Sequence, residues 1–239
     1  PAPSPTPNFT PTVPAAVIEL PGTTLPTGFS ILKFAEIYRP TALTVDFNGN
    51  ILVASADSNI YIVSDADKDG HADTQSIFAS GYYIPLGLTV HPATGDVYVS
   101  YQGAIAVLTD SDKNGEADSS RILVEGLPST GRHQNNNLEF GPDGWLYMGM
   151  GSTCDACAEA DARNATIMRF NLETGEKEIF ASGLRNPFDI AFHPLTGELF
   201  STDNGRDDLG LDAPDEELNL IIQNGNYGFP NCWNEQNTN

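Results

Sequence analysis

Pro40-Thr41-Ala42-Leu43-Thr44-Val45, followed by Asn48-Gly49-Asn50 and Ile51-Leu52-Val53-Ala54, is the stretch on which the fold turns. Apolar and polar residues alternate on both sides of an Asn-Gly turn, the pattern of a β-hairpin with one buried face. The same pattern returns three times. Pro85-Leu86-Gly87-Leu88-Thr89-Val90 leads through Thr94-Gly95-Asp96 to Val97-Tyr98-Val99-Ser100. Asn137-Leu138-Glu139-Phe140 leads through Asp143-Gly144 to Trp145-Leu146-Tyr147-Met148. Phe188-Asp189-Ile190-Ala191-Phe192 leads through Thr196-Gly197-Glu198 to Leu199-Phe200-Ser201-Thr202.

Leu43, Leu88, Leu138 and Ile190 stand 45, 50 and 52 residues apart, a step that suits one four-stranded propeller blade. A second hairpin completes each unit, as in Ile60–Val63 with Ser76–Ala79 or Ile167–Phe170 with Glu178–Ala181. No stretch has helical periodicity over three turns, and a β-sandwich would not require a repeat. The expectation is an all-β propeller with blades at about residues 38–81, 82–127, 128–183 and 184–233, after a Pro-rich linker and lead-in strand over 1–30. Four blades are fewer than most propellers use. The reading adopted is part of a six-bladed ring, with a four-bladed ring as the alternative.

Of 239 residues, 11 are Lys or Arg and 32 are Asp or Glu, a formal charge of −21. Such a surface repels nucleic acid and anionic membranes and attracts divalent cations. No apolar run reaches the length of a membrane span. The opening Pro1-Ala2-Pro3-Ser4-Pro5-Thr6-Pro7 reads as the linker of an exported protein, extracellular or periplasmic, and Asn8-Phe9-Thr10 and Asn164-Ala165-Thr166 are glycosylation sequons. Cys154, Cys157 and Cys232 can pair in three ways, and the local Cys154–Cys157 pair is favoured.

The carboxylates are clustered. Asp65-Ala66-Asp67-Lys68-Asp69-Gly70-His71-Ala72-Asp73 recurs 45 residues later as Asp110-Ser111-Asp112-Lys113-Asn114-Gly115-Glu116-Ala117-Asp118. Alternate oxygen-bearing side chains can converge on a hard cation, with Gly70 or Gly115 making the sharp turn. Asp65, Asp67, Asp69, the His71 carbonyl and Asp73 are the first candidate calcium set. Asp110, Asp112, Asn114, the Glu116 carbonyl and Asp118 are the second. β-runs flank both loops and Ser76 and Arg121 stand at the twelfth position, so neither is an EF-hand. A structural ion is expected at each.

The second half carries a different chemistry. Arg132-His133-Gln134-Asn135-Asn136-Asn137 opens the third unit and Gly183-Leu184-Arg185-Asn186-Pro187 the fourth. Asp203-Asn204-Gly205-Arg206, Asp215-Glu216-Glu217-Leu218-Asn219 and Asn224-Gly225-Asn226-Tyr227-Gly228-Phe229-Pro230 follow. In this order the motifs resemble the soluble PQQ-dependent glucose and sorbosone dehydrogenases and the related pyranose dehydrogenases. The resemblance implies PQQ and calcium as cofactors and a small-molecule sugar, aldose or sorbosone in type, as substrate. It implies that His133 is the catalytic base and that Arg185 and Asn186 contact the quinone. It further implies that the Asn204, Gly205 and Arg206 loop, a carboxylate at Asp215 or Glu216, and the Tyr227 carbonyl hold the cofactor's calcium. The competing reading is a non-catalytic, calcium-stabilised propeller serving as a binding or surface-assembly module.

Overall fold

A computed structural model of the chain describes residues 22–210, 216–233 and 237–238. The described residues are all-β. The first sheet is β1 (Pro40–Val45), β2 (Ile51–Ser55), β3 (Asn59–Ser64) and β4 (Thr74–Ser80). The second is β5 (Gly87–Val90), β6 (Val97–Tyr101), β7 (Ala104–Thr109) and β8 (Ser119–Glu125). The third is β9 (Asn135–Phe140), β10 (Leu146–Met150), β11 (Thr166–Phe170) and β12 (Lys177–Ser182). The fourth is β13 (Pro187–Phe192), β14 (Leu199–Asp203) and β15 (Glu217–Ile221), three strands among the described residues. β16 (Cys232–Trp233) and β17 (Asn237–Thr238) pair only with each other among those residues.

Each sheet is an antiparallel meander, and β1, β5, β9 and β13 pack side by side as the innermost strands. They surround a cavity of about 340 Å³ lined by Pro40, Thr41, Leu86, Asn137, Phe188 and Asp189. This is a propeller arrangement of four blades. The repeat is visible in the backbone: the first-hairpin turns carry Gly49, Gly95, Gly144 and Gly197, all at positive φ between 72° and 85°. A bulge recurs between the two outer strands of the first three blades, at Ile60/Tyr61, Ile105/Ala106 and Ile167/Met168.

Three apolar cores lie between successive blades. Leu52, Ile60, Phe78, Leu88 and Val99 fill the first, Ile105, Leu138, Met148 and Phe170 the second, and Ile167, Leu184, Ile190, Leu199 and Ile221 the third. The middle strands of the second and third blades are covered on both faces, which is why β7 reads Ala104-Ile105-Ala106-Val107-Leu108 without alternation. Among the described residues the two flanks are open. Leu43 and Val45 on β1 are 65% and 53% exposed, and Leu218, Leu220 and Ile222 at and after β15 are 72%, 45% and 61% exposed.

The disulfide Cys154–Cys157 is present, and Cys232 is a free, exposed thiol. The Asn164 sequon is corrected by the structure. Asn164 is buried and its Nδ2 donates to Gly151 O at 2.9 Å, so it is closed to a glycan. Asn8 lies outside the described residues.

Candidate functional site

β9 and β13 run in the same direction, so the residues just before them, His133 and Arg185-Asn186, emerge at one rim of the propeller. Hydrogen bonds tie the two lead-ins. His133 N donates to Ser152 O at 3.1 Å, and Ser152 N donates to Arg185 O at 2.8 Å. Asn136 Nδ2 donates to Asn186 Oδ1 at 2.9 Å and to Pro187 O at 3.0 Å. The approach is close: a Cβ on Gly151 would lie 2.3 Å from His133 Cβ and 2.8 Å from Asn186 Oδ1. Asp203 at the end of β14 accepts from Arg185 N at 3.0 Å and Asn186 N at 2.6 Å, fixing both backbones. Burial pushes the Asp203 carboxyl up to about 7.

The Arg185 guanidinium is buried and fully engaged in an ion cluster. Nε donates to Asp155 O at 2.9 Å, Nη1 to Asn204 O at 3.1 Å, and Nη2 to Asp155 Oδ1 at 2.5 Å and Asp207 Oδ2 at 3.3 Å. Arg132 reaches the same Asp155 and Asp207 carboxylates. Asp155 sits inside the Cys154–Cys157 loop and also accepts from Asp207 N and Asp208 N, each at 3.1 Å. Its partial burial opposes ionisation. The amide of Asp207 and the Arg185 guanidinium outweigh that and bring its carboxyl down to about 2. His133 is half-buried beside this cluster; burial first, and the Arg185 charge second, lower its imidazole to about 4. It is therefore neutral at pH 7.

Arg185, Asn204, Gly205, Arg206 and Tyr227 line one small cavity together with Asp203. Glu216 Oε2 closes on this loop, accepting from Asn204 Nδ2 and Gly205 N at 3.0 Å each. Asp215 lies outside the described residues. The Arg206 side chain turns to Asp208, its Nε and Nη2 donating at 2.9 and 2.8 Å. The Tyr227 hydroxyl donates to Leu220 O at 2.6 Å and its amide to Ser182 O at 2.9 Å, fixing the backbone that bears the Tyr227 carbonyl. Sequence reasoning missed Ser152, Asp155, Asp203 and Asp207. A signal existed for Asp155, the one charged residue between two cysteines, and for Asp203, which precedes Asn204-Gly205.

The acidic loops join β3 to β4 and β7 to β8, at the propeller end opposite His133. The two are near-copies. Asp73 Oδ2 accepts from Ala66 N at 2.7 Å and Asp118 Oδ2 from Ser111 N at 2.6 Å. Asp65 Oδ2 accepts from Gly70 N at 3.0 Å and Asp110 Oδ2 from Gly115 N at 2.9 Å. Lys68 and Lys113 both have φ of 59°. Asp65, Asp67 and Asp73 offer oxygens within 4.8 Å of one another, as do Asp110, Asp112 and Asp118. Asp69 and Asn114 instead use Oδ1 to accept from the amides of His71 and Glu116, each at 2.8 Å. The nearby Asp69 charge, with Asp73 and Asp65, raises the Asp67 carboxyl. The second loop also grips the first blade, Ala117 N donating to Phe78 O at 2.9 Å, and the first loop holds the segment ahead of β1, Ala72 N donating to Phe34 O at 3.0 Å.

The family model described as a domain of unknown function, DUF7133, matches residues 25–231. The chain belongs to the DUF7133 family. It is also similar to quinoprotein glucose dehydrogenase B of Acinetobacter calcoaceticus, 28% identical over 141 residues, which cover 46% of this chain and 28% of that protein. Among solved structures, the calcium structure of the Trichoderma reesei carbohydrate-active enzyme of family AA12 superposes with a TM-score of 0.75. It is 20% identical, over 85% of this chain and 58% of that one. The holo pyranose dehydrogenase PQQ domain of Coprinopsis cinerea gives a TM-score of 0.72 at 18% identity, over 82% of this chain and 55% of that one. The chain thus spans less than two thirds of the length of each of these relatives, and the two structural likenesses establish the propeller fold. Among the described residues no helix is long and apolar enough to cross a membrane.

Proposed function

We propose that the chain forms part of a PQQ- and calcium-dependent sugar dehydrogenase acting on an aldose or sorbosone-type sugar. The observation that carries this reading is the convergence of a neutral, half-buried His133 with Arg185 and Asn186 at one rim, held through Ser152, Gly151 and Asp203. The donor set fits such a cofactor. Arg132 and Arg185 offer guanidinium groups to carboxylate and carbonyl oxygens, and the carboxylate now nearest solvent, Asp207, is 66% exposed and free to yield its place. The Asn204–Arg206 backbone, the Glu216 carboxylate and the Tyr227 carbonyl are oxygen ligands suited to calcium.

When bound, PQQ with its calcium supplies the two-electron acceptor for the hydride leaving the sugar carbon. His133 would take the proton of the sugar hydroxyl, as a neutral imidazole can at pH 7. Asp203 holds the Arg185 and Asn186 backbones and Asn136 the Asn186 amide, the groups that would orient the cofactor. The hairpin loops would each bind one structural calcium that fixes the hairpin, away from the chemistry. A disulfide beside the site supports an extracellular or periplasmic setting.

The test is sugar-dependent dye reduction by the purified protein with PQQ and calcium added. No reduction across aldoses and ketoaldoses, together with no quinone binding, removes the reading. The engagement of Arg185 by Asp155, Asn204 and Asp207 specifically favours the alternative, a non-catalytic calcium-stabilised propeller, because those bonds satisfy the guanidinium without a ligand.

A further inference from the structure

Ser152 is fully buried between His133 and the disulfide loop, and its hydroxyl makes two contacts. Oγ lies 2.7 Å from Cys154 O and 3.0 Å from His133 Nδ1. A carbonyl oxygen can only accept, so the single hydroxyl proton belongs to the contact with Cys154. The hydroxyl therefore has only a lone pair to offer the imidazole. Two facing lone pairs at 3.0 Å would repel, whereas an Nδ1–H donating to Oγ satisfies every atom. Nδ1 then carries the proton and Nε2 the lone pair.

The surrounding bonds keep the hydroxyl where it is. Ser152 N and O are held by Arg185 O and His133 N at 2.8 and 3.1 Å. Thr153 is held at both N and Oγ1 by the Glu159 carboxylate, at 2.8 and 2.7 Å. The Cys154–Cys157 bond closes the next turn, so Cys154 O cannot swing away without opening that loop. Nε2, by contrast, has no hydrogen-bond partner among the described residues.

We propose that Ser152 is a positioning residue that locks His133 in the Nδ1-protonated tautomer, leaving Nε2 as the basic atom of the site. The assignment rests on the dehydrogenase reading only for what Nε2 then does; the tautomer itself needs neither quinone nor sugar. The hydroxyl orients without taking up charge; the proton affinity of the imidazole is lowered by burial first and by Arg185 second, and raised in part by the Ser152 backbone.

Long-range proton–nitrogen NMR of histidine-labelled protein at pH 7 tests it, with the His133 signals assigned by their loss in H133Q. The expected result is a protonated Nδ1 and an unprotonated Nε2 in the wild type. S152A should give a mixture of tautomers, and S152T, which retains the hydroxyl, should restore the single form. In the dye-reduction assay S152A should lower kcat at least tenfold with KM little changed, and S152T should recover most of it. An Nε2-protonated wild type overturns the proposal by itself, even if S152A does not fold. A tautomer unchanged in S152A overturns it as well. A wild type with the expected tautomer and no dye reduction upholds the Ser152 assignment and removes the dehydrogenase reading instead.

Discussion

Asp155 accepts from both Nε, through its carbonyl, and Nη2, through its carboxylate, of Arg185, thirty residues ahead in the chain. That pair joins the disulfide loop of the third blade to the lead-in of the fourth. Arg185 is 4% exposed, so its charge depends on fixed partners rather than on water.

Asp155→Ala should cost about 3 kcal/mol in denaturant unfolding, because a buried cation loses its nearest counter-charge. The pair also has a pH signature. The Asp155 carboxyl is lowered to about 2, below the ordinary value of 3.8. Its stabilisation is therefore complete above about pH 4 and is lost as pH falls toward 2. Asp155→Asn should flatten that acid limb; an unchanged limb would show that Arg185 does not need the charge.

Glu139 should act in the opposite direction. Burial, aided by the Asp189 charge, raises its carboxyl to about 7 from 4.5. A raised acid favours the folded state below its unfolded value and penalises it as pH climbs to the folded one. Stability should fall between pH 4.5 and 7, and Glu139→Gln should remove this slope. Melting curves of both proteins at pH 4.5, 5.5 and 7 measure it, with the advantage of the Gln variant growing toward pH 7.

Gly151→Ala should disrupt the rim more than a single methyl ordinarily would. Its Cβ would collide with His133 Cβ and Asn186 Oδ1 at 2.3 and 2.8 Å. Overpacking of this kind costs about 1–3 kcal/mol. The fold should survive while dye reduction falls by at least tenfold; wild-type turnover would mean that His133 and Asn186 need not hold their present spacing.

Calcium should raise the melting temperature of the wild type, and a chelator should reverse the gain. Asp67→Asn should blunt the response. Without calcium the same substitution should be neutral or slightly stabilising, since it relieves the repulsion from Asp69, Asp73 and Asp65. A calcium-dependent melt unchanged in both Asp67→Asn and Asp112→Asn would argue against ions at the hairpin loops.

The blades were legible because their rule is local. Turn glycines and period-two strands recur at Leu43, Leu88, Leu138 and Ile190, and the last three are buried. Leu43 occupies the same repeat position yet is 65% exposed, because no blade covers its face among the described residues. His133, Arg185 and Asn186 were legible through motif resemblance, and the structure brings them to one rim. Ser152, Asp155 and Asp207 were not. Their roles arise from contacts 19 to 75 residues apart, within the third blade for Ser152 and between the third and fourth for Asp155 and Asp207, and no local pattern encodes such a pairing. Asn164 failed for a related reason: three residues define a sequon, but its burial and the bond from its amide to Gly151 O are set by residues outside that triplet.

The meander order of the sheets has a consequence for how the chain acquires its structure. Within a blade every strand pairs with its sequence neighbour, so a blade can form through short loop closures. Its cores, however, exist only against the next blade, at Leu88 against Ile60, Leu138 against Ile105 and Ile190 against Ile167. Folding should then propagate from blade to blade as a nearest-neighbour process. Amide exchange should be slowest in the doubly covered β6, β7, β10 and β11 and fastest at the two flanks, where Leu43 and Val45 of β1 and Leu218 and Leu220 of β15 are exposed.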